Sequence, residues 1–315
     1  MGTISGLRGA RSFGGSLWVG IVLAVSPATA ESCQSGQAIA AKVAQVIDAR
    51  TFRLEDGRVV RLAGIESLTL RQTDRDESQS IGIAARTALQ NALDGRTVLI
   101  EPIRAKPDRY DRMVAYVVIA QPEGSRSETV QEMLVKQGHA ITAARIDGRA
   151  CALRLLALEQ AARDAKLGLW ADPGYALKDA RDAAGLLADL GRYAVVEGKV
   201  LSVRESGGTI YVNFGWRWTR DFAVTILKRQ DREFAAAGLV PKKLEGRRVR
   251  IRGFIEERGG PRIEATRPEQ IEILDHDASA SKRSGSLNVI DSNRSRHDVV
   301  QKPLRAFGHR ALAQN

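Results

Sequence analysis

The clearest alternation of apolar and polar positions runs from Val43 to Thr69, VAQVIDARTFRLEDGRVVRLAGIESLT. Apolar residues recur through Val43 and Val46-Ile47 and break at Asp48-Ala49-Arg50, and Asp56-Gly57 marks a hairpin between Thr51–Leu54 and Val59–Leu62. The same pattern predicts strands over Ile39–Ile47, Thr51–Leu54, Val59–Ile65, Thr97–Ile103 and Val114–Ala120, the five that a small OB-type barrel needs. Helical spacing appears in Ile83–Leu93 before Asp94-Gly95, in Glu128–Gln137 before Gly138, and in Ala150–Leu167 before Gly168.

Beyond this first unit, the alanine-rich Lys178–Leu190 reads as a helix connecting two domains. Strand-like segments return at Ala194–Val203, Thr209–Phe214, Phe222–Ile226, Arg247–Ile255, Arg262–Ala265 and Ile271–Leu274, with turns at Ser206-Gly207-Gly208 and Gly259-Gly260. They predict a second small OB-like β barrel. The expected fold class is mainly β with packed helices (α+β), a five-stranded OB-fold barrel followed by that second one. From His276 onward no apolar period survives, and 276–315 reads as a disordered basic tail.

The first thirty residues change the picture of the rest. Arg8 and Arg11 supply a positive start, Leu17–Val25 is a short apolar run, and Ala28-Thr29-Ala30 is a small-residue cleavage site, the pattern of a signal peptide over 1–30. The run is too short to span a bilayer as a helix, so no membrane span is expected after cleavage. The product is expected in the periplasm or secreted. Export would favour pairing the two cysteines, Cys33 and Cys151, as a disulfide; two buried thiols are the other reading.

The 315 residues, 43% hydrophobic and 27% charged, suffice for two globular domains. The net charge is +11, yet basic and acidic residues balance between 31 and 189, so the excess lies downstream. His139, His276, His297 and His309 have no metal-ligand spacing.

Four dispersed blocks bear on function: Asp48–Thr51, Arg61-Leu62-x-Gly64-Ile65-Glu66, Asp108-Arg109-Tyr110-Asp111-Arg112, and Glu159…Ala162-Arg163…Gly168-Leu169-Trp170. In order and rough spacing they resemble the staphylococcal-nuclease-like, or thermonuclease, family over about residues 37–170, within a domain spanning 31–173. The segment 174–191 is then the linker and 192–275 the second domain. That domain resembles the C-terminal β domain beside some bacterial members, through Val212-Asn213-Phe214-Gly215…Asp221-Phe222 and Gly246-Arg247…Arg252-Gly253.

The resemblance implies an OB barrel and metal-assisted hydrolysis of a nucleic-acid phosphodiester. Carboxylates of the first hairpin hold Ca2+, a glutamate helps activate water, and two arginines grip the phosphate. The arginines carry over as Arg61 and Arg112, whose planar forks suit phosphate.

The acids do not carry over. Where the family has Asp-Gly-Asp-Thr, this chain has Asp48-Ala49-Arg50-Thr51, and Asp-x-Pro-Glu has become Glu66-Ser67-Leu68-Thr69. Asp48 and Glu66 remain as weak metal ligands, while Arg50 takes a ligand position and Thr69 the base position. Losing a placed base removes about 100- to 10,000-fold in rate, and a fixed positive charge opposes a dication directly. The expectation is therefore a family member that binds nucleic acid or phosphate ligands, with hydrolysis impaired or lost and no cofactor bound. An active nuclease with a rearranged acid set, drawing on Asp74, Asp76 or Glu77, and a protein-interaction module of the cell envelope are the alternatives.

In the second domain, Arg248, Arg250 and Arg252 alternate with Val249 and Ile251, placing three guanidiniums on one strand face. Trp216-Arg217-Trp218 offers rings for base stacking. A nucleic-acid surface fits these residues; so does a solvated strand beside tryptophans that fill a barrel end.

Overall fold

A computed structural model of the chain describes residues 38–67, 76–120, 128–144, 148–172, 175 and 177–275. The expected signal peptide, Cys33, Thr69, Asp74 and the tail from 276 lie outside them.

In the first domain, β1 (Ile39–Asp48), β2 (Thr51–Leu54), β3 (Val59–Leu62) and β4 (Ile65–Glu66) precede α1 (Asp76–Leu93). They are followed by β5 (Thr97–Pro102), β6 (Arg112–Ile119), α2 (Val130–Lys136), β7 (Ile141–Thr142) and α3 (Arg149–Asp164). Five strands close on themselves in the order β1-β2-β3-β6-β5. The long β1 makes closure possible: Ile39–Lys42 pair with β5, and from Val43 onward the strand pairs with β2. Register shifts at Val43/Gln45 and Val46/Asp48 mark where it bends, as extra residues in one strand of a ladder do.

The alternation read from the sequence sets the inward face. Val46, Phe52, Val60, Val98, Ile100 and Val117 are fully buried in the barrel, and Leu89 and Leu93 of α1 pack onto the same core. Helix α2 starts where its capping box dictates, because Thr129 accepts the Glu132 N–H while the Glu132 carboxylate accepts the Thr129 N–H at 2.8 Å.

The second domain departs from the sequence expectation in two ways. Lys178–Leu190 is no continuous helix: β8 (Lys178–Asp179) pairs in parallel with β9 (Tyr193–Lys199), and only α4 (Ala183–Ala188) is helical. Asp182 starts that short helix by accepting the Gly185 N–H at 2.9 Å. Nor do the strands form one barrel. In order come β10 (Ser202–Ser206), β11 (Thr209–Asn213), β12 (Ala223–Leu227), α5 (Asp231–Ala236), β13 (Arg248–Phe254), β14 (Glu256–Arg258), β15 (Gly260–Glu264) and β16 (Ile271–Ile273). Among the described residues they make one sheet ordered β10-β11-β12-β15-β14 and a second ordered β16-β13-β9-β8. Val212, Val224, Ile226, Val249, Ile251 and Ile263 fill one core between them.

The two domains meet through a small apolar cluster, in which Val195 packs with Ile141, Ala162, Leu169 and Trp170, and through charge. Arg252 and Glu159 are both fully buried, and the Arg252 guanidinium donates to both Glu159 oxygens at 2.9 Å. Glu159 also accepts the Thr142 N–H at 2.6 Å and pairs with Arg163, and Arg252 also pairs with Glu272. Arg250 bonds Glu197 at 2.8 Å and Gln160 of α3 at 3.0 Å.

This corrects the expectation that Arg248, Arg250 and Arg252 form a nucleic-acid surface. The face of β13 that carries them lies against α3, so Arg250 and Arg252 spend their donors on Glu159, Glu197 and Glu272. Arg248 alone of the three is exposed, 3.9 Å from Glu197. Burial and the crowding of Arg250 and Arg252 push the Arg163 pKa down against the pull of Glu159. Burial opposes the charge on Arg252 as well, but Glu159 and Glu272 outweigh it and raise its pKa.

Candidate anion-binding pocket

A cavity of about 630 Å³ opens on the first domain where the β1–β2 turn, β3, β4 and the loop before β6 converge. The turn is built from its own residues: Asp48 pairs with Thr51 across it, the Asp48 carboxylate accepts the Arg50 N–H at 2.9 Å, and the Arg50 carbonyl accepts the Leu62 N–H at 2.8 Å. Asp48 thus shapes the turn that aims Arg50 into the cavity. Arg61 reaches it from β3, whose inward positions Val60 and Leu62 hold the strand in the core.

Glu66 lies between the two. One of its oxygens pairs with Arg50 and the other accepts from Arg61 at 2.9 Å. The carboxylate is nearly buried, at 7% exposure. Across the cavity Arg112 donates to Asp108 through two nitrogens, at 2.8 and 3.0 Å. Burial would raise the Asp108 pKa, but these bonds and the backbone N–H groups of Tyr110 and Arg112 hold it below the ordinary Asp value. Tyr110, largely exposed, has the Arg109 and Arg112 guanidiniums each 4.8 Å from its ring centroid.

The charge balance decides what the pocket accepts. Arg50, Arg61, Arg104, Arg109 and Arg112 line it against Glu66 and Asp108, and both carboxylates are already held by arginines. Arg61 registers the excess: burial, then the nearby Arg50, lower its pKa, with Arg112 adding to them and Glu66 and Asp108 opposing. A bound anion relieves that repulsion and a cation adds to it.

These residues do not fit Ca2+. Glu66 offers no oxygen clear of a guanidinium, Asp48 gives one oxygen to its turn and does not line the cavity, and Arg50 brings a fixed positive charge to the site. Among the described residues no group of three or more His, Cys, Asp or Glu side chains converges as a metal site. Thr69 falls outside the described residues, as does the side chain of Glu77 in the first turn of α1.

The structure brings Arg50, Arg61, Glu66 and Arg112 into one cavity, with Asp48 outside its lining in the turn that carries Arg50. It separates them from the second-domain candidates. Several pocket residues were not singled out from the sequence. Arg109 and Tyr110 lie inside the motif that carries Arg112, and Arg104 precedes it by a few residues, so position could have flagged them. Phe254 comes from β13 of the second domain and carried no signal. It is placed by an edge-to-face contact with Tyr193, centroids 5.2 Å apart, whose hydroxyl donates to the Ala143 carbonyl at 2.5 Å. Cys151, buried in α3, is disulfide-bonded; Cys33 lies outside the described residues.

A small barrel that delivers arginines from its first turn, β3 and β6 into one cleft belongs to the class of OB-fold domains. Residues 59–172 match the model of the staphylococcal nuclease homologue family. The chain is also 31% identical over 159 residues to Protein ParB of Escherichia coli, a match covering 49% of this chain and 80% of that protein. The chain belongs to the staphylococcal nuclease homologue family, and hence to a nuclease family.

Proposed function

We propose that the first domain binds the phosphoryl group of a nucleic-acid end or nucleotide without calcium-dependent hydrolysis of it. The observation that carries this is Glu66 held between Arg50 and Arg61. The acid that would help hold a metal is neutralised, while Arg112, Arg104 and Arg109 leave the cavity electropositive. Guanidiniums bind and orient a phosphate and stabilise charge on its oxygens, but none of them generates hydroxide. Export is part of the proposal, supported by the leader-like residues 1–30 and by the disulfide at Cys151. No described helix is long and apolar enough to cross a membrane.

The test is calorimetry on the whole chain with a 5′-phosphorylated dinucleotide, its unphosphorylated counterpart and calcium. The phosphorylated ligand should bind, the unphosphorylated one should bind at least roughly tenfold more weakly, and calcium should give no site-specific heat. Calcium-dependent cleavage of single-stranded DNA that Arg112→Ala abolishes would overturn the proposal in favour of an active nuclease.

A further inference from the structure

The second domain carries a groove of about 640 Å³ on the open face of the β10-β11-β12-β15-β14 sheet, sharing no lining residue with the arginine pocket. Strand alternation makes this face polar. Val203, Val212, Val224 and Ile263 point into the core, so Arg204 and Tyr211, directly opposite one another, point out, as does Arg262, paired with Ala223.

Over one end stands the loop between β11 and β12, with Trp216 and Trp218 each 78% exposed. Neither ring fills a barrel end. The loop is nonetheless firmly built. The Asp221 carboxylate accepts the Arg217 N–H at 2.8 Å, and the Arg217 carbonyl accepts the N–H groups of Arg220 and Asp221 at 2.8 Å. A Cβ on Gly215 would lie 2.0 Å from an Asp221 oxygen, and one on Gly260 would lie 2.6 Å from the Arg220 carbonyl carbon. The loop therefore seats tightly on the β14–β15 turn and holds both indoles out in water. Two exposed tryptophans on a fixed loop are a costly arrangement for a surface that meets only solvent.

The cations around them are available. Arg204 and Arg258 are exposed and bonded to no carboxylate among the described residues, and Arg262 makes only a 3.4 Å contact with the Arg258 carbonyl. Asp221, the one acid lining the groove, is spent on the loop backbone.

We propose that this groove binds single-stranded nucleic acid, with bases stacked on Trp216 and Trp218 and phosphates held by Arg204, Arg258 and Arg262. Flat rings with unpaired guanidiniums beside them suit a strand whose bases are unstacked and whose backbone is anionic. An acidic peptide would satisfy the arginines and leave the indoles without a partner. The groove goes beyond the phosphate pocket, and either site can fail without the other.

The experiment measures anisotropy of a labelled oligothymidylate of about 12 nucleotides with the whole chain, the variant W216A/W218A, and the variant R61A/R112A. Losing both rings should weaken binding roughly tenfold or more, while binding of the 5′-phosphorylated dinucleotide is unchanged. R61A/R112A should lose the dinucleotide and keep most of the oligonucleotide affinity. An abasic strand of equal length should bind as weakly to the parent as the oligothymidylate does to W216A/W218A. The proposal is overturned if W216A/W218A binds like the parent, if the abasic strand does, or if poly-glutamate of equal charge competes as well as the oligothymidylate. Both tryptophans are exposed, so W216A/W218A keeps the fold, and circular dichroism would verify the fold of both variants.

Discussion

Arg252 bonds both oxygens of Glu159 from 93 residues further along the chain, with neither side chain exposed to solvent. Breaking such a pair leaves a charge buried without its partner. Arg252→Met should therefore lower the unfolding free energy by about 3–5 kcal/mol. Glu159→Met should do comparable damage, since it also strands Arg163 and the Thr142 N–H. The double variant should cost clearly less than the sum of the two. Urea denaturation measures all three, and strict additivity would show that the pair does not act as a unit.

The same cluster predicts an acid-sensitive interface. Burial alone would raise the Glu272 pKa, but Arg252 and then Arg250 hold it below the ordinary Glu value. A carboxylate depressed in the folded state contributes stability that is fully present above its unfolded pKa, about 4.3, and lost as pH falls through the lower folded value. Stability should thus drop below about pH 4.3, and Glu272→Gln should lower stability at neutral pH while flattening that drop. Melting curves between pH 3 and 7 in about half-unit steps would reveal it; an acid slope unaltered in the variant would assign the loss to other groups.

On the proposed function, calcium-dependent hydrolysis should need two changes at once. Arg50→Asp returns an acid to the turn and releases Glu66, and Thr69→Glu returns a base; metal and base act on the same water, so neither change alone should suffice. The double variant should bind calcium and cleave single-stranded DNA while the parent does neither. Equal activity of the Arg50→Asp variant alone would show that Thr69 is not where the base is missing.

The disulfide at Cys151 is expected to take Cys33 as its partner, tying the residues before β1 to α3. It should stabilise by about 2–4 kcal/mol. Intact-mass analysis of oxidised protein should find no alkylatable thiol, and two reactive thiols would rule the bridge out.

Legibility in the sequence followed the range of the interactions. The barrel strands could be read because alternation and the Asp56-Gly57 turn are local, and Gly57 adopts the positive φ that its turn requires, 87°. The arginine pocket could be read through motif spacing, although the grip of Arg50 on Glu66 needed coordinates. Arg250 and Arg252 misled because alternating charge on a strand looks solvent-facing until its counterions are found, and Glu159 lies in a different domain. Lys178–Leu190 misled similarly. Alanine-rich composition favours helix, but the Asp179–Glu197 pairing draws its start into a sheet.

The interface also sets an order of events as the chain folds. Glu159 precedes Arg252 by 93 residues, so it becomes available first when the chain is delivered from its N-terminus. Until then Glu159 has, among the described residues, only Arg163 of its own helix and the Thr142 N–H for partners, and the pocket lacks the wall that Phe254 supplies. The first domain therefore gains its buried cross-domain ion pair and the last wall of its pocket only when the second domain is in place.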